Sequence, residues 1–85
     1  MEKLRERLER ALRQEFDGME VDFGPQQPMQ SRLSGMLTWN GFRDEDFTDR
    51  QRRVWDVIRD ALGADSAQVS TLVTLTPDEV ATYSR

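Results

Sequence analysis

Cysteine and histidine, the side chains that most often carry nucleophilic, acid–base and metal chemistry, do not occur in this sequence of 85 residues. Thiolate nucleophiles and imidazole acid–base catalysis are therefore excluded for this chain. The ligands from which zinc, haem and iron–sulfur sites are usually built are missing as well. Only carboxylates, amides, hydroxyls, carbonyls and thioethers remain for a metal, so we expect no catalytic residue, no metal ligand and no cofactor.

An acidic segment is the first place where chemically useful groups cluster. Asp44, Glu45 and Asp46 are consecutive, and Asp49 follows them closely. Calcium binds carboxylate oxygens, but this segment lacks the ligand spacing of a calcium loop and the glycine that permits its sharp turn. Acid–base catalysis by Asp44 and Glu45 would need a shifted pKa, and no apolar sequence surrounds them to provide one. We interpret the segment as a solvated loop.

A group of basic and amide side chains is the second cluster. The predicted partner-binding residues lie on one helix and are Arg50, Gln51, Arg52, Arg53 and Arg59. Arg52 and Arg59 are seven positions apart and so share a helix face. Their guanidinium groups could bind an anionic partner or a phosphate backbone. The alternative is that the arginines pair with Asp49, Asp56 and Asp60 of the same helix.

Composition narrows the class of partner. The net charge is −4 and the calculated pI is about 4.7, whereas general nucleic-acid binders usually carry a basic field. Serine and threonine are frequent, but neither a Gly-x-Ser-x-Gly elbow nor a phosphate-binding glycine loop occurs.

No apolar run approaches the roughly 20 residues that span a bilayer. The charged start at Glu2 is unlike a signal peptide, so we expect a cytoplasmic, non-enzymatic protein without a membrane partner.

Two helices at the ends of the chain have clear sequence signals. Residues 3–16 place apolar side chains at helical spacing: Leu4, Leu8, Ala11, Leu12 and Phe16. Asp17 and Gly18 then predict the end of this helix. Thr76 followed by Pro77 predicts the start of the last helix, which Val80 and Tyr83 would anchor.

The second helix carries the candidate residues. Thr48 is predicted as its N-cap, with Gln51 completing a capping box, and Gly63 as the residue after its end. Its predicted apolar face comprises Val54, Trp55, Ile58, Ala61 and Leu62. Because Trp39 and Trp55 lie on apolar faces, we interpret both as core or interface residues, and Trp55 in particular as core.

Alternating polarity predicts three strands, at residues 19–23, 32–39 and 68–75. The predicted inward faces are Met19, Val21 and Phe23, then Leu33, Leu37 and Trp39, then Val69, Thr71, Val73 and Leu75. Leu72 on the opposite side of the third strand indicates burial on both faces. An exposed loop is predicted at 26–31, and the connection over residues 42–47 is predicted to be anchored at both ends by Phe42 and Phe47.

The element order is therefore α-β-β-α-β-α, in one small α+β domain over residues 1–85. Helices on one face of a small mixed sheet would bury every apolar stripe.

The stretch FRDEDFTDRQRRVWDVI at residues 42–58 resembles the BolA-like family, which has a Phe-x-Gly segment and then an Arg-His-Arg-x-Val-Tyr helix. The later LTPDE at 75–79 is similar to the family's closing Leu-Thr-Pro-Glu-Glu-Trp. The resemblance implies a three-stranded sheet covered by helices, related to class II KH domains. It also implies docking on a monothiol glutaredoxin with a shared iron–sulfur cluster.

Departures from the family pattern concern that cluster. Gln51 stands where the family's helix histidine falls, and no histidine occurs near Gln68 before the third strand. Val80 replaces the closing tryptophan, and Arg43-Asp44 replaces the glycine that follows Phe42. A glutamine amide is a poor ligand for cluster iron. We therefore expect a branch that kept the scaffold without iron–sulfur ligation.

Three functions stay open from sequence. The first is a regulatory adaptor that binds a protein, for which the resemblance names a monothiol glutaredoxin, through the arginines of the second helix and the last helix. The second is KH-like binding of nucleic acid or transcriptional regulation, although the Gly-x-x-Gly loop that clamps the backbone is absent. The third is carboxylate catalysis. We favour the adaptor.

Overall fold

The protein is described here from a computed structural model, which covers residues 3–23 and 32–83. In chain order its elements are α1 (Leu4–Glu15), β1 (Glu20–Asp22), β2 (Leu33–Thr38), α2 (Phe47–Leu62), β3 (Val69–Leu75) and α3 (Pro77–Tyr83). Short 3₁₀ turns at Asn40–Phe42 and Gly63–Gln68 flank α2. The α-β-β-α-β-α order predicted from sequence is confirmed. The loop predicted at 26–31 lies outside the described residues.

The three strands form one mixed sheet in the order β1-β2-β3. β1 runs antiparallel to β2, and β3 runs parallel to β2. The helices α1 and α2 pack on each other and on one face of the sheet. The other face carries the register neighbours Met36 and Val73, whose side chains are each 40% exposed. No helix of residues 3–23 and 32–83 is long and apolar enough to cross a membrane.

The core lies between the two long helices and the sheet. Its most completely buried apolar side chains are Leu8, Leu12, Leu37, Phe42, Val54, Ile58 and Leu72. All but Leu72 come from the predicted apolar faces of α1, α2 and β2, and from the start of the connection after β2, whereas Leu72 comes from β3. Trp55 is half-buried and packs against the rim of this core. Ala61 of the predicted α2 face is exposed, so that face is narrower than predicted.

The orientation predicted for β3 was wrong over most of its length. Val69 is buried as predicted, but Leu72 and Thr74 then point inward, whereas Thr71 and Val73 are exposed. The cause is an irregularity in the β2–β3 register, where Leu33 pairs with Val69 but Gly35 pairs with Leu72. The extra residue on β3 reverses which side chains face the helices. The outer face of β3 is exposed, so this strand is not buried on both faces as predicted.

The start of α2 also differs from the prediction. Asp46, not Thr48, is the N-cap, and its Oδ1 accepts a hydrogen bond from the Asp49 N–H at 2.8 Å. The helix thus begins earlier, at Phe47. That side chain is 67% exposed, so the predicted anchoring of this connection holds at Phe42 and fails at Phe47.

The predicted start of α3 is confirmed, whereas one of its two predicted anchors is wrong. Glu79 N–H donates to Thr76 Oγ1 at 3.2 Å, and Thr76 N–H donates to Glu79 Oε1 at 2.7 Å. This reciprocal pair is a capping box, which fixes the first turn of the helix. Val80 is half-buried, but Tyr83 is 72% exposed and is not an anchor.

Substitution of Leu12 tests the assignment of the buried face of α1. Leu12→Asp places a carboxylate at a fully buried position, which we expect to cost about 5 kcal/mol or more and to unfold the domain. The control Arg5→Asp changes an exposed residue of the same helix and should cost less than about 1 kcal/mol. Thermal unfolding followed by circular dichroism compares them, and equal melting temperatures would contradict the assignment.

Candidate functional site

The site begins at the free edge of β3. Within the described part of the chain β3 pairs with β2 alone, so its other edge has no strand neighbour. Leu75 O accepts from Trp39 N–H at 2.9 Å and thus points toward β2. Because backbone groups alternate along a strand, the carbonyls of Leu72 and Thr74 point to the free edge. Buried carbonyls at an edge need donors, and α2 supplies them.

Gln51 is the first of these donors. Its Nε2 donates to Leu72 O at 2.8 Å and lies 3.3 Å from Thr74 Oγ1. Its Oε1 accepts from Trp55 Nε1 at 3.2 Å. Both ends of the amide are therefore bonded within the protein, and the side chain is half-buried. Gln51 joins α2 to β3 and does not close a capping box with Thr48.

Arg50 is the second donor and the most connected side chain of the region. Its Nη1 donates to Thr74 O at 3.2 Å and to Glu79 Oε1 at 2.7 Å, while its Nε donates to Glu45 O at 2.9 Å. The guanidinium carbon lies 5.7 Å from the centre of the Phe42 ring. Only 11% of the side chain is exposed. We name Arg50, Gln51, Leu72, Thr74 and Glu79 the edge cluster.

Glu79, the acid of the edge cluster, has a lowered pKa. The guanidinium of Arg50, followed by the Thr76 N–H, holds the pKa of Glu79 below its ordinary value of 4.5. Both contacts favour the carboxylate, because each donates a hydrogen bond to it. One acid thus connects the capping box of α3 to an arginine of α2.

Arg53 lies over an aromatic group at the other side of α2. Its guanidinium carbon is 5.3 Å from the Trp39 ring centre and 5.5 Å from that of Phe16, and it forms an ion pair with Glu45. The Trp39 ring meets Phe16 edge-on at 5.0 Å between centres. Trp39 is half-buried, as the core or interface interpretation requires. This arginine is thus partly engaged inside the fold.

Arg52 and Arg59 are the two predicted residues with the most exposed side chains. Arg52 lies 3.8 Å from Asp49, and Arg59 lies 2.9 Å from Asp56. These ion pairs are the alternative that the sequence left open, and at such exposure each is worth about 0–1 kcal/mol. Four residues at positions 49, 52, 56 and 59 therefore form a charged stripe of alternating sign along α2.

The acidic segment has structural roles. Glu45 pairs with Arg53, and Asp46 caps α2. Asp44 has φ of +71°, the left-handed region that glycine adopts freely and aspartate more readily than most residues. The backbone thus keeps a glycine-like conformation at Asp44. Among the described residues, no group of three or more carboxylates is arranged to hold a metal ion.

A pocket of about 360 Å³ beside Trp39 was not predicted from the sequence. It lies between the turn after α1, the end of β2 and the start of α3, so no local spacing indicates it. Asp17 and Glu20 are among its lining residues. The only sequence signal was the turn at Asp17-Gly18, which we interpreted as a helix stop.

The fold geometry is that of BolA proteins. Solved structures similar to this chain include BolA1 from Arabidopsis thaliana, with TM-score 0.64 and 19% identity over 93% of this chain and 98% of that one. The BolA domain of SufE1 from Arabidopsis thaliana has TM-score 0.64 and 20% identity over 93% and 99%. A bol-like protein from Babesia bovis has TM-score 0.50 and 21% identity over 93% and 91%.

These similarities confirm the BolA-like fold that residues 42–79 indicated, over most of the chain. No protein-family model matches the sequence, and no curated protein matches it.

The iron–sulfur cluster that the resemblance implies does not fit these residues. Gln51 stands at the position of the family's helix histidine, and both its amide oxygen and nitrogen are bonded to other groups of the chain. The sequence contains no imidazole or thiol to replace it. An amide is in any case a poor iron ligand.

The structural role of Gln51 predicts a loss of stability on truncation. Gln51→Ala leaves Leu72 O and Trp55 Nε1 without their partners, which we expect to cost about 1–3 kcal/mol. Arg52→Ala at the exposed neighbouring position is the control and should change stability by less than about 0.5 kcal/mol. Urea unfolding measures both. Equal free energies of unfolding for the two variants would show that the Gln51 bonds do not hold β3.

The lowered pKa of Glu79 predicts a pH-dependent contribution to stability. In the unfolded chain the contacts with Arg50 and Thr76 are lost, so the pKa returns to its ordinary value. The ionised form is favoured only in the folded state, so the contribution is complete above about pH 5 and declines as the pH falls through the folded pKa. The difference in unfolding free energy between wild type and Glu79→Gln should therefore shrink as the pH is lowered below the ordinary pKa of 4.5.

Gln14→Ala, a neutral change at an exposed site, provides the matched control, and its difference from wild type should not vary over this range. A Glu79→Gln difference that is independent of pH would contradict the assigned ion pair.

Proposed function

We propose that this chain is a non-enzymatic regulatory adaptor of the BolA type, which acts by binding another protein without iron–sulfur ligation. The observation that supports this proposal most is that the Gln51 side chain is hydrogen-bonded within the fold. At the one α2 position where the family carries an imidazole, both polar ends of the side chain are used to join α2 to β3. The exposed surface of α2 would therefore recognise a partner by its shape and charge.

The charged stripe of α2 is the proposed docking surface. Arg52 and Arg59 are exposed, and their ion pairs with Asp49 and Asp56 are weak enough to be exchanged for contacts with a partner. Near the start of α3, Arg43 pairs with Asp78 at 2.7 Å, again with both side chains exposed. A partner with alternating charge would match this surface, and charge complementarity of this kind mainly sets specificity and association rate.

A monothiol glutaredoxin is the partner that the family resemblance suggests. Under this proposal it would dock through protein contacts alone, since this chain supplies no ligand to a shared cluster. Nucleic acid is the weaker candidate. Arg50 is engaged inside the fold, Arg53 lies against Trp39 and pairs with Glu45, and Arg52 and Arg59 each stand beside an aspartate that repels phosphate.

Reversal of charge on the stripe tests the proposal. Tagged wild type, Arg52→Glu/Arg59→Glu and the control Arg5→Glu/Arg32→Glu would be used to capture proteins from the source cell at physiological salt. The control makes the same charge change at exposed positions elsewhere. We expect wild type and control to recover one specific protein, and titration with that protein purified to show binding at least about tenfold weaker for the stripe variant.

Two outcomes would overturn the proposal. One is the absence of any specific protein, or equal binding by all three forms. The other is saturable binding of mixed single-stranded DNA at low salt, where electrostatic affinity is greatest. The second result would establish the nucleic-acid function instead.

A further inference from the structure

The pocket beside Trp39, which we name the Trp39 pocket, is formed where three segments of the chain meet. Asp17 and Gly18 come from the turn after α1, Thr38 and Trp39 from the end of β2, and Pro77 and Val80 from the start of α3. Its volume of about 360 Å³ lies at the lower end of the range for ligand sites, about 300–1,000 Å³. It is therefore sized for one side chain rather than for a large ligand.

The apolar wall of the pocket is held in place by the rest of the fold. Trp39 Nε1 donates to Asp17 O at 2.7 Å, which fixes the ring against the turn after α1. The rings of Phe16 and Phe42 meet it edge-on, at 5.0 Å and 5.3 Å between centres. A Cβ at Gly41 would overlap the ring, so the backbone also lies directly against it. The wall is thus formed before any partner binds.

The charge of the pocket has one sign. Asp17 and Glu20 are exposed lining residues, and neither carboxylate has an ion-pair partner among residues 3–23 and 32–83. The lining contains no lysine or arginine. The guanidinium over the Trp39 ring belongs to Arg53 and is already paired with Glu45. By contrast, Asp49 and Asp56 of α2 form ion pairs with Arg52 and Arg59.

We propose that the Trp39 pocket receives a basic side chain, lysine or arginine, of the protein that this adaptor binds. The inference rests on the proposed function, which makes the ligand a protein, and it adds the chemistry of the side chain that the pocket receives. The methylene stem of a basic side chain would lie on Trp39 and Val80, and its charged head would reach the unpaired carboxylates. An apolar side chain would desolvate those carboxylates without compensation, and a phosphate would be repelled by them.

Blocked tripeptides test the chemistry directly. The probe is acetyl-Gly-Arg-Gly amide, with the lysine peptide beside it and the citrulline peptide as a neutral isostere. Each is titrated into the ¹⁵N-labelled chain at low salt, and the indole N–H signals of Trp39 and Trp55 are followed. We expect a saturable shift of the Trp39 signal with both basic peptides, little shift with citrulline, and no shift of Trp55, which does not line the pocket.

Glu20→Gln and Glu15→Gln form a matched pair of variants. Both remove one exposed carboxylate that has no ion-pair partner among the described residues, but only Glu20 lines the pocket. We expect Glu20→Gln to weaken binding of the arginine peptide about fivefold, and Glu15→Gln to leave it unchanged. Equal effects of the two variants, an equal shift by citrulline, or no saturable shift at Trp39 would each overturn the inference.

Failure here is distinguishable from failure of the proposed function. If the tripeptides do not bind but a captured protein still depends on Arg52 and Arg59, the pocket chemistry is wrong and the adaptor stands. If the tripeptides bind at Trp39 and no specific protein is captured, the pocket is confirmed as a site for a basic group and the adaptor is wrong.

Discussion

One edge of β3 has no neighbouring strand among residues 3–23 and 32–83, and this edge imposes the central constraint on the fold. Outward carbonyls at such an edge must find donors or remain open to pairing with another chain. Here an arginine and a glutamine near the start of α2 provide them, with Gln51 bonded to Leu72 O and Arg50 to Thr74 O. The same arginine reaches Glu79 in α3. Two adjacent side chains thereby join α2, β3 and α3.

This constraint excludes Gln51 as a metal ligand. A residue whose amide holds a strand edge cannot also serve as a metal ligand, because turning outward would leave Leu72 O and Trp55 Nε1 unpaired. The BolA-like fold is thus combined with a glutamine at position 51 that joins α2 to β3. Two parts of the described surface differ in character, the charged stripe of α2 and the acidic, aromatic Trp39 pocket.

The sequence predicted those features that are set locally. The helix at 3–16 follows from the spacing of its leucines, and the start of α3 follows from Thr76 and Pro77, since neighbouring residues need no tertiary information. The inward face of β3 could not be predicted, because the register irregularity belongs to the pair of strands and not to either alone. Spacing alone had assigned Gln51 to a capping box, whereas contacts with β3 decide its conformation. The Trp39 pocket was missed for the same reason, as it is assembled from three separated segments.

The central claim is that the Gln51 side chain is bonded to the β3 edge in the folded protein. The most direct measurement is the scalar coupling transmitted across a hydrogen bond, between Nε2 of Gln51 and the carbonyl carbon of Leu72, in a ¹³C,¹⁵N-labelled sample. The account predicts a detectable coupling and slow exchange of one side-chain amide proton of Gln51 with solvent. A Gln51 amide with no coupling and with exchange as fast as that of exposed Gln14, in a chain that is otherwise folded, would contradict it.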